Sequence, residues 1–430
     1  MKNEMKQTVL GLIPADWEVT KLGKFGSCIR GVSYKPDDLV DELTNAIIIL
    51  RSNNIADGNL NYDDVKLVTR KNVAEKQLLQ DGDIAICMSN GSKRLVGKSA
   101  RYSQKGYEVS IGAFCSLFRA NTDIDKNFLF QLFQSDLYQK QIDLELAGSA
   151  INNLKDSSIN GLLFAFPPLP EQQKIAEILS TLDEKMAVID EQLAQTQELK
   201  KGLMQRLLTR GIGHTEFKDS PLGQIPVGWE VRLLDEVAER GSGHTPSKNF
   251  PEYYNGGIKW ISLADSFRLD NGWIKETKTE ISSLGIKNSS ATLHPEGTVL
   301  LSRDAGVGKS AVMHEDMAVS QHFITWTCNG KLNNWFLYYY LQLQKPLFER
   351  IASGSTIKTI GLPFFKKFSV PVPPIAEQEQ IAEILTTVDD KIQVLEDKKA
   401  QYQTLKRGLM QQLLTGQRRV RVVPAETVLA

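Results

Sequence analysis

The pattern nearest to a chemical motif is VGKSA, which occurs twice, from Val96 and from Val307, each time after an apolar strand-like run. A phosphate-binding loop also needs a glycine five residues before the Gly-Lys pair, because its backbone N–H groups wrap the phosphate. Those positions hold Ser92 and Arg303. Both copies are therefore predicted to be turns between strands, without a nucleotide site.

Other catalytic patterns are missing from the sequence as well. There is no HExxH helix, no GxSxG elbow, no glycine-rich cofactor loop and no (N/D)PP(Y/F) tetrapeptide of the kind that amino-methyltransferases use. The histidines show no metal-ligand spacing, and most are predicted to be loop or surface residues. They are His214, His244, His294, His314 and His322. We expect no catalytic residue, no metal site and no cofactor bound by this chain.

Polar loops are the better candidates for function, since their side chains suit the reading of base edges. Arg and Lys can pair with guanine and Asn with adenine, and Gly permits close approach to a duplex. The candidates in the first half of the chain are Arg30, Tyr34, Lys35, Arg51, Asn53, Asn54, Ser89, Asn90, Lys93 and Arg94. Those in the second half are His244, Thr245, Ser247, Lys248, Ser302, Arg303 and His322. Each alone fits a solvated turn equally well, but their matching places in both halves favour DNA binding.

The elements that must position these loops are repeated. PPLPEQQKIAEILSTLDEK, from Pro167, returns as PPIAEQEQIAEILTTVDDK, from Pro373, and more than half of the aligned positions are identical. LKKGLMQRLLT and LKRGLMQQLLT close the two copies, while GLIPADWEV and GQIPVGWEV open the segments before them. A shorter echo pairs GSAINNL, from Gly148, with GSTIKTI, from Gly354. The chain is therefore a variable block and a helix, followed by another variable block and another helix.

Both repeated segments carry apolar residues in alternating steps of four and three, which is a heptad seam. The seam residues are Ile175, Leu179, Leu182, Met186, Ile189, Leu193, Ile381, Leu385, Val388, Ile392, Leu395 and Leu409. Lys200 and Lys406 occupy matching positions in the same seams. The Pro pairs act as start signals and Gly211 and Gly416 as stops, which gives helices of about 40 residues, or roughly 60 Å. Pairing the two seams antiparallel is the economical way to cover them.

These patterns predict an α+β protein with pseudo-two-fold symmetry. Segments 1–166 and 214–372 are predicted to be mixed α/β domains, with amphipathic helices near 127–145 and 334–351. Segments 167–213 and 373–416 are the long helices, and 417–430 is a C-terminal tail. Strands are predicted at Ala46–Leu50, Asp83–Met88 and Thr298–Ser302.

Composition narrows the class of protein. The chain has 430 residues, a formal net charge of zero and four scattered cysteines without a CxxC pair. Such cysteine usage suits a reducing cytosol, and neither a membrane span nor a secretory signal is predicted, so we expect a cytoplasmic protein. A neutral chain counts mildly against a stand-alone nucleic-acid binder. It fits a protein whose partners neutralise much of the phosphate charge.

The doubled PPxxEQ helix starts, the LKxGLMQxLLT ends, the IPxxWEV openings and the GSxI turns together resemble the specificity (S) subunit of type I restriction–modification systems. The resemblance spans essentially the whole chain. It implies two target-recognition domains separated by two long antiparallel coiled-coil helices, each domain reading half of a bipartite double-stranded DNA site. It also implies that the helices set the gap and bind two modification subunits, which carry S-adenosylmethionine and methylate adenine. In this family two restriction subunits can add ATP- and Mg-dependent translocation and cleavage.

Two readings from other classes stay open on the sequence alone. One is a coiled-coil scaffold whose two heads bind protein, and the other is a nuclease with an unrecognised active site. The helices could also act only as a spacer. Two heads on one DNA face are expected about one turn apart, near 34 Å, which leaves about six unread base pairs between half-sites of a few base pairs.

Overall fold

The computed structural model describes residues 4–56, 58–148, 152–354 and 358–421. The chain divides into two compact units, a first unit of Met1–Asp190 with Asp397–Ala430 and a second unit of Glu191–Glu396. Each unit therefore holds one mixed α/β block and a part of both long helices. The division of the sequence into five segments stays a prediction.

The first unit contains thirteen strands within the described residues, with one central antiparallel sheet in the order β10-β9-β12-β4 and a second, mixed sheet in the order β11-β5-β8. Strands β1 with β2, β3 with β13 and β6 with β7 form two-stranded pairs. Their bounds are β1 Met5–Thr8, β2 Gly11–Pro14, β3 Glu18–Lys21, β4 Gly26–Arg30, β5 Ala46–Leu50, β6 Ile55–Ala56, β7 Asn59–Leu60, β8 Lys66–Thr69, β9 Ile84–Cys87, β10 Ser99–Arg101, β11 Val109–Ile111, β12 Cys115–Ala120 and β13 Leu163–Phe166.

The second unit repeats this plan, with sheets in the orders β17-β25-β22-β23-β19 and β20-β18-β24-β21 and the pairs β14-β15 and β16-β26. The bounds are β14 Phe217–Ser220, β15 Gly223–Pro226, β16 Glu230–Leu233, β17 Ala238–Ser242, β18 Tyr254–Ile261, β19 Trp273–Ile274, β20 Thr279–Ile281, β21 Leu293–His294, β22 Val299–Ser302, β23 Ser310–Met313, β24 Met317–Val319, β25 Phe323–Cys328 and β26 Ser369–Val372. The three strands predicted from the sequence, β5, β9 and β22, are confirmed to within a residue or two.

The two predicted amphipathic stretches differ from their prediction in one respect. Each predicted amphipathic stretch is two helices, α1 with α2 and α7 with α8. The break between α1 and α2 lies at Ser135, whose hydroxyl accepts the Tyr138 N–H and so caps the start of α2. The break between α7 and α8 comes just before Pro346, which lies in the first turn of α8. The bounds are α1 Lys126–Phe133, α2 Asp136–Ala147, α3 Asp156–Gly161, α4 Leu169–Arg210, α5 Leu234–Val237, α6 Ser283–Lys287, α7 Asn334–Leu343, α8 Lys345–Ile351, α9 Leu362–Phe365 and α10 Ile375–Leu413.

The long helices α4 and α10 begin two residues after the start of their Pro pairs, because Pro168 and Pro374 supply the first carbonyl acceptors of the helix ladder. Helix α4 ends before Gly211, whose φ of 65° is the left-handed conformation that glycine adopts at a helix end. The VGKSA copies are turns into β10 and β23, as predicted. The GSxI turns lie partly outside the described residues, at 149–151 and 355–357.

Ion pairs show how the two long helices pair inside each unit. In the first unit, Lys399 meets Asp190 at 2.5 Å and Lys406 meets Asp183 at 2.6 Å. Moving seven residues forward along α4, from 183 to 190, therefore corresponds to moving seven residues backward along α10, from 406 to 399. In the second unit Lys200 pairs with Asp389. Further along α4, Leu207 and Leu208 lie in one cluster with Ile381 and Leu385, which precede Asp389 on α10. The helices are therefore antiparallel within each unit, as the fold prediction has them.

The helix pairs complete the cores of the units. The seam residues are all buried or half-buried, with Ile175, Leu179, Ile381 and Leu385 fully enclosed. In the first unit Ile175 and Leu179 join a cluster that also contains Trp17 and Leu413. Burying large aliphatic side chains stabilises a fold by roughly 1.5–3 kcal/mol each. Within the described ranges no helix is long and apolar enough to cross a lipid bilayer.

Candidate nucleic-acid interface

Sheet register brings several of the predicted loops to one edge of the first unit. Strand β12 pairs with β4 and β9, so that Ser116 lies opposite Arg30 and Cys115 opposite Cys87. The loops after β4 and β9 therefore lie beside the turn that precedes β12. Strand β11 runs parallel to β5 with Ile111 beside Leu50, which brings Arg51 to the same edge.

Two clefts open at this edge, and each contains three predicted residues. The first cleft has a volume of about 550 Å³ and includes Arg30, Ser89 and Asn90. The second cleft has a volume of about 530 Å³ and includes Tyr34, Arg51 and Asn53. The other first-cleft residues are Gly91, Phe114, Asn152 and Asn153. Hydrogen-bond donors and acceptors from four separate loops thus converge on two adjoining concave surfaces, which is the arrangement that base-edge recognition requires.

Phe114 lines both clefts and was not predicted. Its ring is 69% exposed, while its backbone carbonyl accepts hydrogen bonds from the N–H groups of Met88 and Ser89 at 2.9 and 3.1 Å. A fixed backbone therefore carries a ring that is open to solvent. The sequence carries only a weak signal for this position, an aromatic residue in the short Gly-Ala turn between two apolar strands.

The charged candidates of the first unit are held to different degrees. The Arg51 guanidinium donates to the Asp64 carboxylate and to the Asp64 carbonyl, both at 2.7 Å, whereas Arg30 has a looser ion pair at 4.0 Å with Asp156. The side chains of Lys35, Lys93 and Arg94 are exposed and line neither cleft. Arg30 is consequently the cation that is most available to a ligand in the first cleft.

Two of the predicted base readers are structural residues. Asn54 is fully buried, and its side chain accepts from the Arg51 N–H and donates to the Asp63 carbonyl at 2.8 and 2.7 Å. Ser302 is also fully buried, and its hydroxyl donates to the Asp304 carbonyl at 2.8 Å. Neither side chain can present a polar edge to DNA, because each closes a tight turn from inside.

The second unit presents the equivalent edge. Strand β25 pairs with β22, with Ser302 opposite Phe323, and with β17, with Ser242 opposite Ile324. The adjoining turn holds His322, whose Nδ1 lies 2.9 Å from the Asp304 carboxylate. Arg303 comes from the neighbouring loop, and its guanidinium donates to the carbonyls of Gln321 and Ile360.

The remaining predicted residues of the second unit lie on the loop that follows β17. The Thr245 hydroxyl donates to the Gln321 side chain at 2.6 Å, which ties the loop after β17 to the turn before β25. His244, Ser247 and Lys248 are exposed on the same loop. Gly243 allows the close approach of that loop, since an added Cβ would lie 1.7 Å from the Val319 carbonyl oxygen. Gly31 has the same role in the first unit, where a Cβ would lie 2.2 Å from the Gly112 oxygen.

The repeated sequence motifs contact one another within each unit. The indole Nε1–H of Trp17 donates to Glu171 at 3.0 Å, and that of Trp229 donates to Glu377 at 2.9 Å. The adjacent Gln172 side chain accepts from the Asp125 N–H and donates to the Pro167 carbonyl. The IPxxWEV opening and the PPxxEQ helix start are thus two sides of one joint, which sequence reasoning missed.

The joints differ in the group that completes them. In the first unit Arg419 donates to Glu171 and to Asp16, and this hydrogen bonding lowers the pKa of Asp16 below its usual 3.8. In the second unit His214 lies 2.8 Å from Glu377 instead. The joints hold each mixed α/β block to the helices of its own unit by hydrogen bonds to a nearly buried carboxylate.

The cysteines offer no nucleophile. Burial raises the pKa of Cys115 and of Cys328 to about 12, and it also raises the pKa of Cys28 and of Cys87. The four thiols therefore stay protonated at neutral pH, and a thiol is a far weaker nucleophile than a thiolate.

The known proteins with similar sequences share one description. A sequence profile described as Type I restriction modification DNA specificity domain matches residues 14–198 and 226–403. The putative type I restriction enzyme MjaX specificity subunit of Methanocaldococcus jannaschii is 29% identical over 98% of both chains. The EcoKI specificity subunit of Escherichia coli K12 is 34% identical over 54% of this chain and 53% of its own length.

Solved structures show the same fold. The type I restriction–modification S subunit from M. genitalium aligns over 96% of this chain and 99% of its own, with a TM-score of 0.57 and 14% identity. A chain from a study of complex assembly and conformational transition of the type I R-M system aligns over 94% and 99%, with a TM-score of 0.57 and 19% identity. Because the type I specificity profile matches most of its residues, the chain belongs to the specificity subunits of type I restriction–modification systems, which are non-catalytic components that recognise DNA sequence.

Proposed function

We propose that each unit reads one half of a bipartite double-stranded DNA site through its edge loops. The observation that carries the proposal is that the same sheet edge is built twice with different side chains. Arg30, Asn90 and Phe114 lie at the edge in the first unit, while Arg303 and His322 lie there in the second. One backbone plan with unlike contact residues suits a target with two unlike halves.

We propose that the predicted residues at the surface contact the bases and phosphates of this DNA. Arg30 suits guanine in the major groove, and a well-placed pair discriminates by about 1–3 kcal/mol. Asn90 suits adenine less well, because its half-buried amide already donates to the Ser52 hydroxyl and accepts from the Ser92 N–H. Lys35, Lys93, Arg94 and Lys248 suit phosphate oxygens, which contribute affinity without sequence information.

We assign docking of two modification subunits to the long helices. Apolar residues that do not enter the seam recur at equivalent positions of the repeat. The first unit exposes Val188 by 54% and Leu405 by 49%, and the second exposes Val394 by 64% and Leu199 by 53%. Two equivalent surfaces fit two copies of one partner. S-adenosylmethionine would be bound by those subunits, and ATP and Mg by restriction subunits where these join.

The docking assignment is tested by adding charge to one of the two surfaces. The double substitution Val188→Asp with Leu405→Asp should reduce the assembly from two modification subunits to one, as measured by native mass spectrometry. Leu144→Asp is the matched control, because Leu144 is 73% exposed in the first unit on α2. Retention of two subunits in the double variant would refute docking at these residues.

Half-site reading is tested by sequencing methylated adenines in a host that carries this chain with its modification subunit. Wild type should give one bipartite motif. Arg30→Ala should relax or change the first half-site and leave the other half unaltered. Loss of both halves together would contradict modular reading, and a motif without a gap would contradict a bipartite site.

We also assign the helices the role of a spacer. Asp190 and Lys399 face each other across the helix pair, so one heptad inserted beside each preserves the seam. Seven residues add about 10 Å of helix, or about three base pairs of DNA. The unread gap in the methylated motif should widen by that amount, and an unchanged gap would refute the spacer role.

A further inference from the structure

Three backbone hydrogen bonds show that Phe114 and His322 occupy the same position in their units. In the first unit these bonds run from Gly112 N to Leu50 O, from Cys115 N to Gly112 O and from Met88 N to Phe114 O. In the second unit they run from Ser320 N to Ile261 O, from Phe323 N to Ser320 O and from Arg303 N to His322 O. The turns before β12 and β25 are thus fixed by equivalent hydrogen bonds. Their last residues differ, with an aromatic apolar side chain in the first unit and an imidazole in the second.

In the first unit that residue is apolar and outside the core. The Phe114 ring is 69% exposed although its backbone is fixed by two hydrogen bonds. It stands between the first cleft, which holds Arg30 and Asn90, and the second cleft, which holds Arg51. Hydration of an exposed apolar ring is unfavourable, so the ring gains stability when another apolar group covers it. In the major groove of a duplex that apolar group is the C5-methyl of thymine, while neighbouring donors such as Arg30 read adjoining bases.

In the second unit the residue is polar and held in one orientation. The carboxylate of Asp304 can only accept, so the His322 Nδ1 that lies 2.9 Å away must carry a hydrogen. When the ring carries a single hydrogen, at Nδ1, Nε2 is its acceptor. Asp304 is only 8% exposed, whereas about a third of the His322 side chain remains open to solvent. Asp304 acts as a positioning residue for His322.

We propose that this repeated position is a base-contacting, specificity-determining position in both units. Phe114 makes an apolar contact with the C5-methyl group of a thymine in the first half-site. His322 accepts, through Nε2, a hydrogen bond from the exocyclic amino group of adenine or cytosine in the second half-site. The inference rests on the proposed function, since it assumes that the two edges meet DNA.

The experiment uses the chain in complex with its modification subunit and the duplex that carries the wild-type methylated motif. Each base pair of the motif is replaced in turn, and the affinity of the complex is measured for every duplex. The variants are Phe114→Ala, Phe114→Tyr and His322→Ala, with Leu144→Ala as the matched control for an exposed apolar side chain.

Phe114→Ala should remove about tenfold discrimination at one base pair of the first half-site and leave the second half-site unchanged. Phe114→Tyr should retain most of the discrimination, because its ring still covers the thymine methyl group. His322→Ala should remove about tenfold discrimination at a base pair of the second half-site only. The control should match wild type at every position.

Three results separate the possible failures. If both alanine variants keep wild-type discrimination at every base pair, the inference is wrong while the proposed function stands. If Phe114→Ala loses the modification subunit and keeps discrimination, Phe114 is a protein contact and the inference is wrong. If wild type shows no bipartite preference at all, the proposed function itself has failed.

Discussion

The joint between Trp229 and Glu377 yields the sharpest stability prediction. The Glu377 carboxylate accepts from the Trp229 indole at 2.9 Å and from the Ile212 N–H at 3.0 Å, and it meets His214 at 2.8 Å. Glu377→Gln keeps the shape but replaces one acceptor oxygen by an NH₂ donor. If the amide oxygen takes the side of Ile212 and His214, its NH₂ faces the indole N–H, and a buried donor loses its acceptor.

The magnitude follows from the burial of the indole. Trp229 is fully buried, so water cannot replace the lost acceptor. An unsatisfied buried donor costs about 1–3 kcal/mol, and the loss of charge-assisted bonds adds to this. We expect Glu377→Gln to lower the free energy of unfolding by about 2–3 kcal/mol. For a unit of about 200 residues this corresponds to a fall in Tm of about 5–10 °C.

Differential scanning calorimetry of the purified chain measures this shift in the transition of the second unit. Glu379→Gln, at an exposed position of the same helix, is the matched control and should change the Tm by no more than about 1 °C. Trp229→Phe removes the donor, so the double variant should lose about 1 kcal/mol less than the sum of the single variants. A wild-type Tm for Glu377→Gln, or strict additivity in this cycle, would refute the reasoning.

Three further predictions concern stability. Lys406→Met leaves the half-buried Asp183 carboxylate without its cation and should cost about 1 kcal/mol in urea denaturation; an unchanged midpoint would contradict a role for the pair. Asn54→Ala should cost about 2 kcal/mol in the same assay, whereas exposed Asn53→Ala should stay within about 0.5, and equal effects would count against a structural Asn54. Burial lowers the pKa of His294 below 6.5, so the unfolded chain binds more protons and stability should fall as pH drops below about 6.5; His294→Gln should flatten this slope, and an unaltered slope would refute the assignment.

The sequence predicts the long helices well because a heptad seam and its Pro and Gly boundaries are local signals. It also places Arg51 and Ser89 just after strands whose apolar character is visible, β5 and β9. It misjudges Asn54, whose burial depends on the contact of its amide with Asp63 in a later turn. The sequence does not predict Phe114, because its position depends on two clefts that form only when four loops converge.

The first unit is made of two separate stretches of the chain, which affects the order of folding during synthesis. Residues Glu191–Glu396 are contiguous, so the second unit can finish folding soon after its last residue leaves the ribosome. The first unit cannot finish, because Ile175 and Leu179 pack in one cluster with Met410 and Leu413. Closing that loop brings together residues more than two hundred positions apart, which delays the step. The first-made part of the chain is therefore the last to be completed, and until then it exposes an apolar helix face to chaperones and proteases.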